Sequence, residues 1–153
     1  MLEIRHIHLK EYPYMTTTIT FNRGPIFKDS KAADIALEAI LFGKVQEWYY
    51  LLSFVIMPDH MHLIIIPRER SISECMKSIK GFSARHINEV YNRKGSIWQR
   101  GFYDYILGSE EMVLSRIKYI EENPVRKGMV TYAEDYKYNS IRYRKETDFG
   151  MFF

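Results

Sequence analysis

The stretch that decides the fold is Trp48-Tyr49-Tyr50-Leu51-Leu52-Ser53-Phe54-Val55-Ile56-Met57-Pro58-Asp59-His60-Met61-His62-Leu63-Ile64-Ile65-Ile66-Pro67. Trp48 to Met57 is almost wholly apolar and reads as a strand central in a sheet. Pro58-Asp59 makes a tight turn. Met61 to Ile66 is a further strand, ended by Pro67, which has no N–H for the ladder. Two strands this close in sequence pair most simply as an antiparallel hairpin.

The neighbouring segments build a sheet around that hairpin. Tyr14 to Phe21 is rich in β-branched and aromatic residues and predicts the first strand, broken by Asn22-Arg23-Gly24-Pro25. Asp29 or Ser30 can cap a helix running to about Gln46, with Ala33, Leu37, Ile40 and Leu41 on its buried face. Ser71-x-x-Glu74 fits a capping box. Ile72, Met76, Ile79, Phe82, Ile87 and Val90 follow it at helical spacing, and Gly95 ends that segment. Gly101 to Leu107 predicts a fourth strand. Ser109 caps a third helix, with Glu110 and Glu111 in its first turn, and Pro124 stops it near Asn123. The order β-α-β-β-α-β-α predicts an α+β fold, a ferredoxin-like (RRM-like) antiparallel sheet with helices on one face. The 153 residues suit a single domain spanning 1–153, with a core over about 14–140 and a short, tyrosine-rich C-terminal appendage.

Composition narrows the function. Apolar residues make up 46% and charged residues 27%, ordinary for a globular chain. No apolar run approaches the roughly 18 residues of a membrane helix, so no membrane partner is expected. The first residues lack the layout of a signal peptide, and one cysteine, Cys75, admits neither an intrachain disulfide nor a cysteine zinc site. A reducing, cytoplasmic setting is the expectation. The net charge of +3 permits a polyanionic partner. The cations cluster between positions 77 and 127, at Lys77, Lys80, Arg85, Arg93, Lys94, Arg100, Arg116, Arg126 and Lys127. Twelve tyrosines could offer stacking platforms to unpaired bases.

Two features carry chemistry. His60 and His62 are two apart on a strand, so both imidazoles share one face while Met61 points to the other. Such a pair can grip one divalent cation and leave other positions open. His6-Ile7-His8 repeats the spacing with no apolar hairpin behind it, and reads as structural or incidental; His86, alone in mid-helix, reads as structural. On the third helix, Val113, Ile117 and Ile120 form the core face, while Tyr119 and Asn123 are neighbours at i and i+4, outside it. A phenol and an amide oxygen could converge there on one ion, and Arg116 could meet a phosphate. Tyr103 and Tyr105, on the fourth strand, compete with Tyr119 as nucleophiles.

Several segments together resemble a known family. Val55-Ile56-Met57-Pro58-Asp59-His60-Met61-His62-Leu63 is similar to the histidine–hydrophobe–histidine segment of the IS200-like transposases, the single-tyrosine HUH transposases with their REP-associated tyrosine transposase branch. Tyr119-Ile120-Glu121-Glu122-Asn123-Pro124-Val125-Arg126-Lys127-Gly128 resembles the tyrosine-helix segment of that branch. Met76-Lys77-Ser78-Ile79-Lys80-Gly81-Phe82-Ser83, Ile97-Trp98-Gln99-Arg100-Gly101-Phe102-Tyr103-Asp104 and Thr18-Ile19-Thr20-Phe21-Asn22-Arg23 resemble its connecting segments and first strand. The likeness runs from about residue 14 to 140, in the family's order. It implies a metal-dependent endonuclease and strand transferase acting on single-stranded, hairpin-forming DNA through a 5′-phosphotyrosine. His60 and His62 would hold Mg²⁺ or Mn²⁺, and Tyr119 would attack. Asn123 stands where relatives carry a polar third ligand, often glutamine, and Asp59 where many have asparagine. Lys77, Lys80, Arg85, Arg100, Arg116, Arg126 and Lys127 would contact DNA. The family includes monomers and homodimers. Two rival readings are a non-catalytic or domesticated nucleic-acid binder on the same fold, and a metal-dependent phosphodiesterase using activated water. The latter would draw carboxylate ligands from Asp59, Asp104, Glu121 or Glu122.

Overall fold

A computed structural model of the chain describes residues 12–153, so His6 and His8 lie outside the described residues. The elements follow the expected order: β1 (Tyr14–Ile19), α1 (Ser30–Val45), β2 (Tyr49–Met57), β3 (His60–Pro67), α2 (Ile72–Val90), β4 (Tyr103–Ile106), α3 (Glu110–Glu121) and a further turn, α4 (Asn123–Arg126). The strands form one four-stranded sheet in the order β2-β3-β1-β4, every neighbour antiparallel, which is the ferredoxin-like arrangement. The helix starts are capped where the sequence places them. Asp29 accepts from the Lys31 amide, Ser71 and Glu74 form the reciprocal capping box, and Ser109 accepts from the Met112 amide.

The hairpin fixes the rest. Its two-residue turn sets Met57 opposite His60, Ile56 opposite Met61 and Val55 opposite His62. Alternation then sends Phe54, Ile56, Met61, Leu63 and Ile65 to one face, packed under α1 and α2. Val55, Met57, Ile64 and Ile66 go to the other, where they meet Val113, Ile117 and Ile120 of α3. A bulge between Leu51 and Ser53 absorbs a change of parity, so that Tyr49 and Leu51 still face α1. The α+β class and the sheet stand, but the helices do not all lie on one face. α3 covers the opposite side, and it does so because β2 and β3 are apolar on both faces and each face must be buried.

The segment expected to be a C-terminal appendage packs along the open edge of β2. The Ile56 amide donates to the Tyr138 carbonyl at 2.9 Å, and Tyr136 Oη donates to the Ile56 carbonyl at 2.7 Å. Further along, the Leu51 amide donates to Asp148 Oδ2 at 2.8 Å and the Asp148 amide to the Leu51 carbonyl at 2.7 Å. The tail thus satisfies the groups an edge strand would otherwise leave open. β4, at the other edge, is short and exposed throughout. Among the described residues no helix is long and apolar enough to cross a membrane.

One close approach tests the α1–β2 packing. A Cβ on Gly43 would fall on the Tyr49 ring, whose hydroxyl donates to the Ile40 carbonyl inside the core. Gly43→Ala should cost about 1–3 kcal/mol from overpacking, more than the ~1 kcal/mol that alanine gains in a helix. Gly81→Ala on α2, where a Cβ meets nothing, should hold or raise stability. Urea denaturation of the two variants reads the contrast.

Candidate active site

The face that α3 covers ends, at the hairpin turn, in the two histidines. Across the sheet, Val55, His62, Thr17 and Tyr103 stand in one cross-strand row, with Met57, His60 and Ile19 in the next. Each imidazole has one nitrogen engaged. His60 Nδ1 lies 2.7 Å from Asp59 Oδ1, and His62 Nδ1 lies 2.9 Å from Thr17 Oγ1. The Nε2 atoms are left for other partners, and Asn123 Nδ2 sits 3.4 Å from that of His60. The two rings are 4.9 Å apart, centroid to centroid, and 73° from coplanar.

Charge around the pair is graded. Burial pushes the His62 imidazole down to about 4, with repulsion from His60 and Arg126 adding to it, so the ring is neutral at pH 7. Burial opposes the charge on Asp59, but the hydrogen bond and charge of His60, followed by those of Arg23, hold its carboxyl below the ordinary value. A carboxylate behind one imidazole and a hydroxyl behind the other orient both rings, as outer-shell partners do in metal sites.

α3 and α4 bring the other candidates to the same place. The Tyr119 ring centroid is 6.4 Å from that of His62, and Tyr119 remains 42% exposed while Asn123 is 4% exposed. Pro124 has no N–H with which to continue the helix, so regular α3 stops at Glu121 and resumes as α4. The Tyr119 carbonyl at this break accepts from Arg126 Nη2, and the Arg126 guanidinium also lies 4.0 Å over the Tyr119 ring. Arg116 approaches the same ring at 5.3 Å. Both guanidiniums hold the ring by cation–π attraction and stand ready for an anion.

A buried clamp sets the angle of this helix. Glu121, two residues from both Tyr119 and Asn123, is 7% exposed. Its carboxylate accepts from Ser140 Oγ at 2.6 Å and pairs with Arg144 Nη2 at 2.7 Å. Its carbonyl accepts from Asn139 Nδ2 at 2.6 Å, and Asn139 is itself bridged to Val55 of β2. The C-terminal segment therefore ties the tyrosine helix to the sheet.

His60, His62, Asn123, Tyr119, Arg116 and Arg126 are thus together, with exposed Lys127 just beyond. Lys77, Lys80 and Arg85 are not with them: they lie on α2, against the opposite sheet face, as does the loop carrying Arg100. Lys80 is committed to the carbonyls of Gln99 and Gly101. Of the rival tyrosines, Tyr105 donates its hydroxyl to Met15 Sδ, and Tyr103 shares the histidine face but is separated from β3 by β1. Of the carboxylates weighed for a hydrolase, Asp59 is taken up by His60 and Arg23, and Glu121 by the clamp. Thr17 was missed from the sequence; only the β1–β3 register identifies which of three consecutive threonines meets His62.

Comparison with known proteins gives the family and the fold. The model of the family described as "Transposase IS200 like" matches residues 8–123, most of the chain, and the protein belongs to that family. Within it, the chain is similar to a Haemophilus influenzae (strain ATCC 51907 / DSM 11121 / KW20 / Rd) protein described as a REP-associated tyrosine transposase, 27% identical over 97 residues. That match covers 56% of this chain and 55% of the relative, so it spans about half of the curated protein's length. Among solved structures, the fold is similar to that of a REP-associated tyrosine transposase bound to a REP hairpin, with a TM-score of 0.75 and 22% identity over 94% of this chain and 84% of that one. A Deinococcus radiodurans R1 protein described as a transposase is similar at a TM-score of 0.52 and 22% identity, covering 75% of this chain and 92% of its own.

Two measurements test the site. Between its ordinary 6.5 and about 4, His62 takes up a proton in the unfolded chain but not in the folded one. Metal-free folding stability is therefore expected to fall as pH drops through that window, and His62→Gln to flatten the slope. Glu121→Ala, which removes charge-assisted hydrogen bonds from Ser140 and Arg144, should cost about 1–3 kcal/mol in urea denaturation.

Proposed function

We propose that the protein is a metal-dependent single-stranded DNA endonuclease and strand transferase that works through a 5′-phosphotyrosine on Tyr119. The observation that carries the reading is the Tyr119 ring lying against His62, flanked by two guanidiniums, on the face that also holds His60 and Asn123.

The donor set fits a divalent cation. His62 is neutral by burial, His60 has its Nδ1 on a carboxylate and its Nε2 toward Asn123, and the buried Asn123 amide can turn its oxygen inward. His60, His62 and Asn123 would hold Mg²⁺ or Mn²⁺, with imidazole donors favouring the latter. Bound there, the ion would supply Lewis-acid polarisation of a phosphate oxygen.

The chain's own residues do the remainder. Arg116 and Arg126 draw a backbone phosphate to the phenol by paired hydrogen bonds. The Tyr119 oxygen attacks phosphorus; its bond to phosphorus forms as the bond to the 3′ oxygen breaks. The phenol proton passes to solvent, and the departing strand leaves as a 3′-hydroxyl. Because the phosphotyrosine keeps the energy of the broken ester, a second 3′-hydroxyl can reverse the step and rejoin strands without a nucleotide cofactor. The substrate is unpaired DNA next to a hairpin, the kind of element named for the REP-bound structural relative.

A denaturing gel after incubation with a single-stranded hairpin oligonucleotide and Mn²⁺ tests the reading. A covalent protein–DNA adduct is expected, absent in Tyr119→Phe and retained in Tyr103→Phe. Cleavage that persists in Tyr119→Phe without an adduct would favour the activated-water hydrolase. Binding without any cleavage would favour the non-catalytic binder. Asp59→Ala should weaken Mn²⁺ binding by about 10–100-fold, as loss of an outer-shell partner does, read by electron paramagnetic resonance titration.

A further inference from the structure

The turn that follows β1 holds two successive residues in the left-handed region, Asn22 at φ 54° and Arg23 at φ 52°. Asparagine tolerates that conformation. For a long side chain such as arginine it is strained, because Cβ crowds the backbone. The next residue, Gly24, sits at φ −63°, which any residue can adopt. The chain thus places a glycine where none is needed and an arginine where a glycine would relax the backbone. Strain kept beside a reactive site points to a use for the side chain that bears it.

Arg23 Nη1 donates to Asp59 Oδ2 at 3.2 Å. The other oxygen of that carboxylate, Oδ1, lies 2.7 Å from His60 Nδ1. A carboxylate can only accept, so Nδ1 carries the imidazole proton and Nε2 keeps its lone pair. The three groups form a chain from solvent inward, with side chains 62%, 32% and 13% exposed at Arg23, Asp59 and His60.

The backbone of Asp59 is fixed independently of this chain. Its carbonyl accepts from the Thr20 amide and from Thr20 Oγ1, each at 3.0 Å. The Pro58 carbonyl accepts from the Phe27 amide at 3.0 Å. Those bonds hold the hairpin turn but leave the Asp59 carboxylate able to rotate about its side-chain bonds. Among the described residues, the groups that hold it are His60 and Arg23. With Oδ2 released, the carboxylate could swing away from the imidazole or offer an oxygen to a cation itself.

We propose that Arg23 is a positioning residue for the reaction. Acting through Asp59, it fixes the His60 imidazole with Nε2 free for a cation and keeps the Asp59 carboxylate from competing for that ion. The strained turn is what brings the guanidinium to Oδ2. The inference rests on the reading of His60 as a metal ligand, but the state of the imidazole is measured without metal.

The test compares Arg23→Gly, Arg23→Ala and Asn22→Gly with the parent chain. It reads proton–nitrogen NMR spectra of the metal-free histidines, Mn²⁺ titration by electron paramagnetic resonance, and urea denaturation. In the parent, His60 should show the Nδ1–H tautomer with a slowly exchanging ring proton. Both Arg23 variants should lose that slow exchange and bind Mn²⁺ about three- to fivefold more weakly, the range of a partly exposed ion pair. Stability should part from binding. Arg23→Gly relaxes the turn and should match or exceed the parent's urea midpoint, while Arg23→Ala keeps the strain and should fall below it. Asn22→Gly leaves the clamp in place and should change neither the spectrum nor the Mn²⁺ affinity. In an Asp59→Asn background, where the carboxylate is gone, removing Arg23 should have no further effect on either. An unchanged imidazole in both Arg23 variants would overturn the proposal. So would an equal loss of Mn²⁺ affinity with and without the Asp59 carboxylate, or an affinity that follows the urea midpoint rather than the presence of the arginine. If Arg23→Gly frees the imidazole while the parent takes up no Mn²⁺, the positioning role stands and the metal-dependent reading fails.

Discussion

The structure depends on the closure of β2 onto β3 through two residues, Pro58 and Asp59. A two-residue turn leaves no slack, so the register is fixed at Met57 opposite His60 and every later side chain on β3 is assigned a face. His60 and His62 inherit the parity of Ile64 and Ile66, which are buried under α3. A slip of one residue would send both imidazoles among the apolar side chains beneath α1 and α2 and turn Met61 outward, at the desolvation cost of unsatisfied polar groups. The core thus defends the position of the histidines more strongly than any contact they make themselves.

The second constraint acts on the helix that meets them. Val113, Ile117 and Ile120 set which stripe of α3 faces the sheet, but three apolar contacts leave room to slide or rotate. Glu121 removes that freedom by lying one position past Ile120 and reaching a serine, an asparagine and an arginine of the returning tail. A buried carboxylate with its own hydrogen bonds made is a weak source of net stability, and its use is to fix geometry. Here it specifies where Tyr119 and Asn123 stand relative to the hairpin.

Much of this was legible in the residues. The hairpin followed from an apolar run, a Pro-Asp break and a second apolar run, and the histidine face from a spacing of two. The caps at Asp29, Ser71 and Ser109 were equally local. The relation of Tyr119 to Asn123 needed only the helical period, even though Pro124 splits the helix between α3 and α4. What escaped was non-local. The side of the sheet on which α3 packs was implicit in a β2 apolar on both faces, but the helices alone suggested one layer. Thr17 could not be told from Thr16 or Thr18 without the β1–β3 register. The tail, polar and rich in tyrosine, gave no periodic signal, because its contribution is made by hydrogen bonds to an edge and to one carboxylate rather than by an apolar face. The cations between positions 77 and 127 lie in one stretch of sequence, but α2 and α3 divide them between opposite sides of the sheet.

That division means that the modest net charge of +3 is shared between the two sides of the sheet rather than gathered on one. Two guanidiniums are concentrated at Tyr119, and a separate cationic run borders a cleft beyond Phe21. The two are joined at the end of β1, where the Phe21 amide donates to the Ile97 carbonyl and the Gln99 amide to that of Ile19, so this one turn sets how both charged groups stand relative to the histidine face.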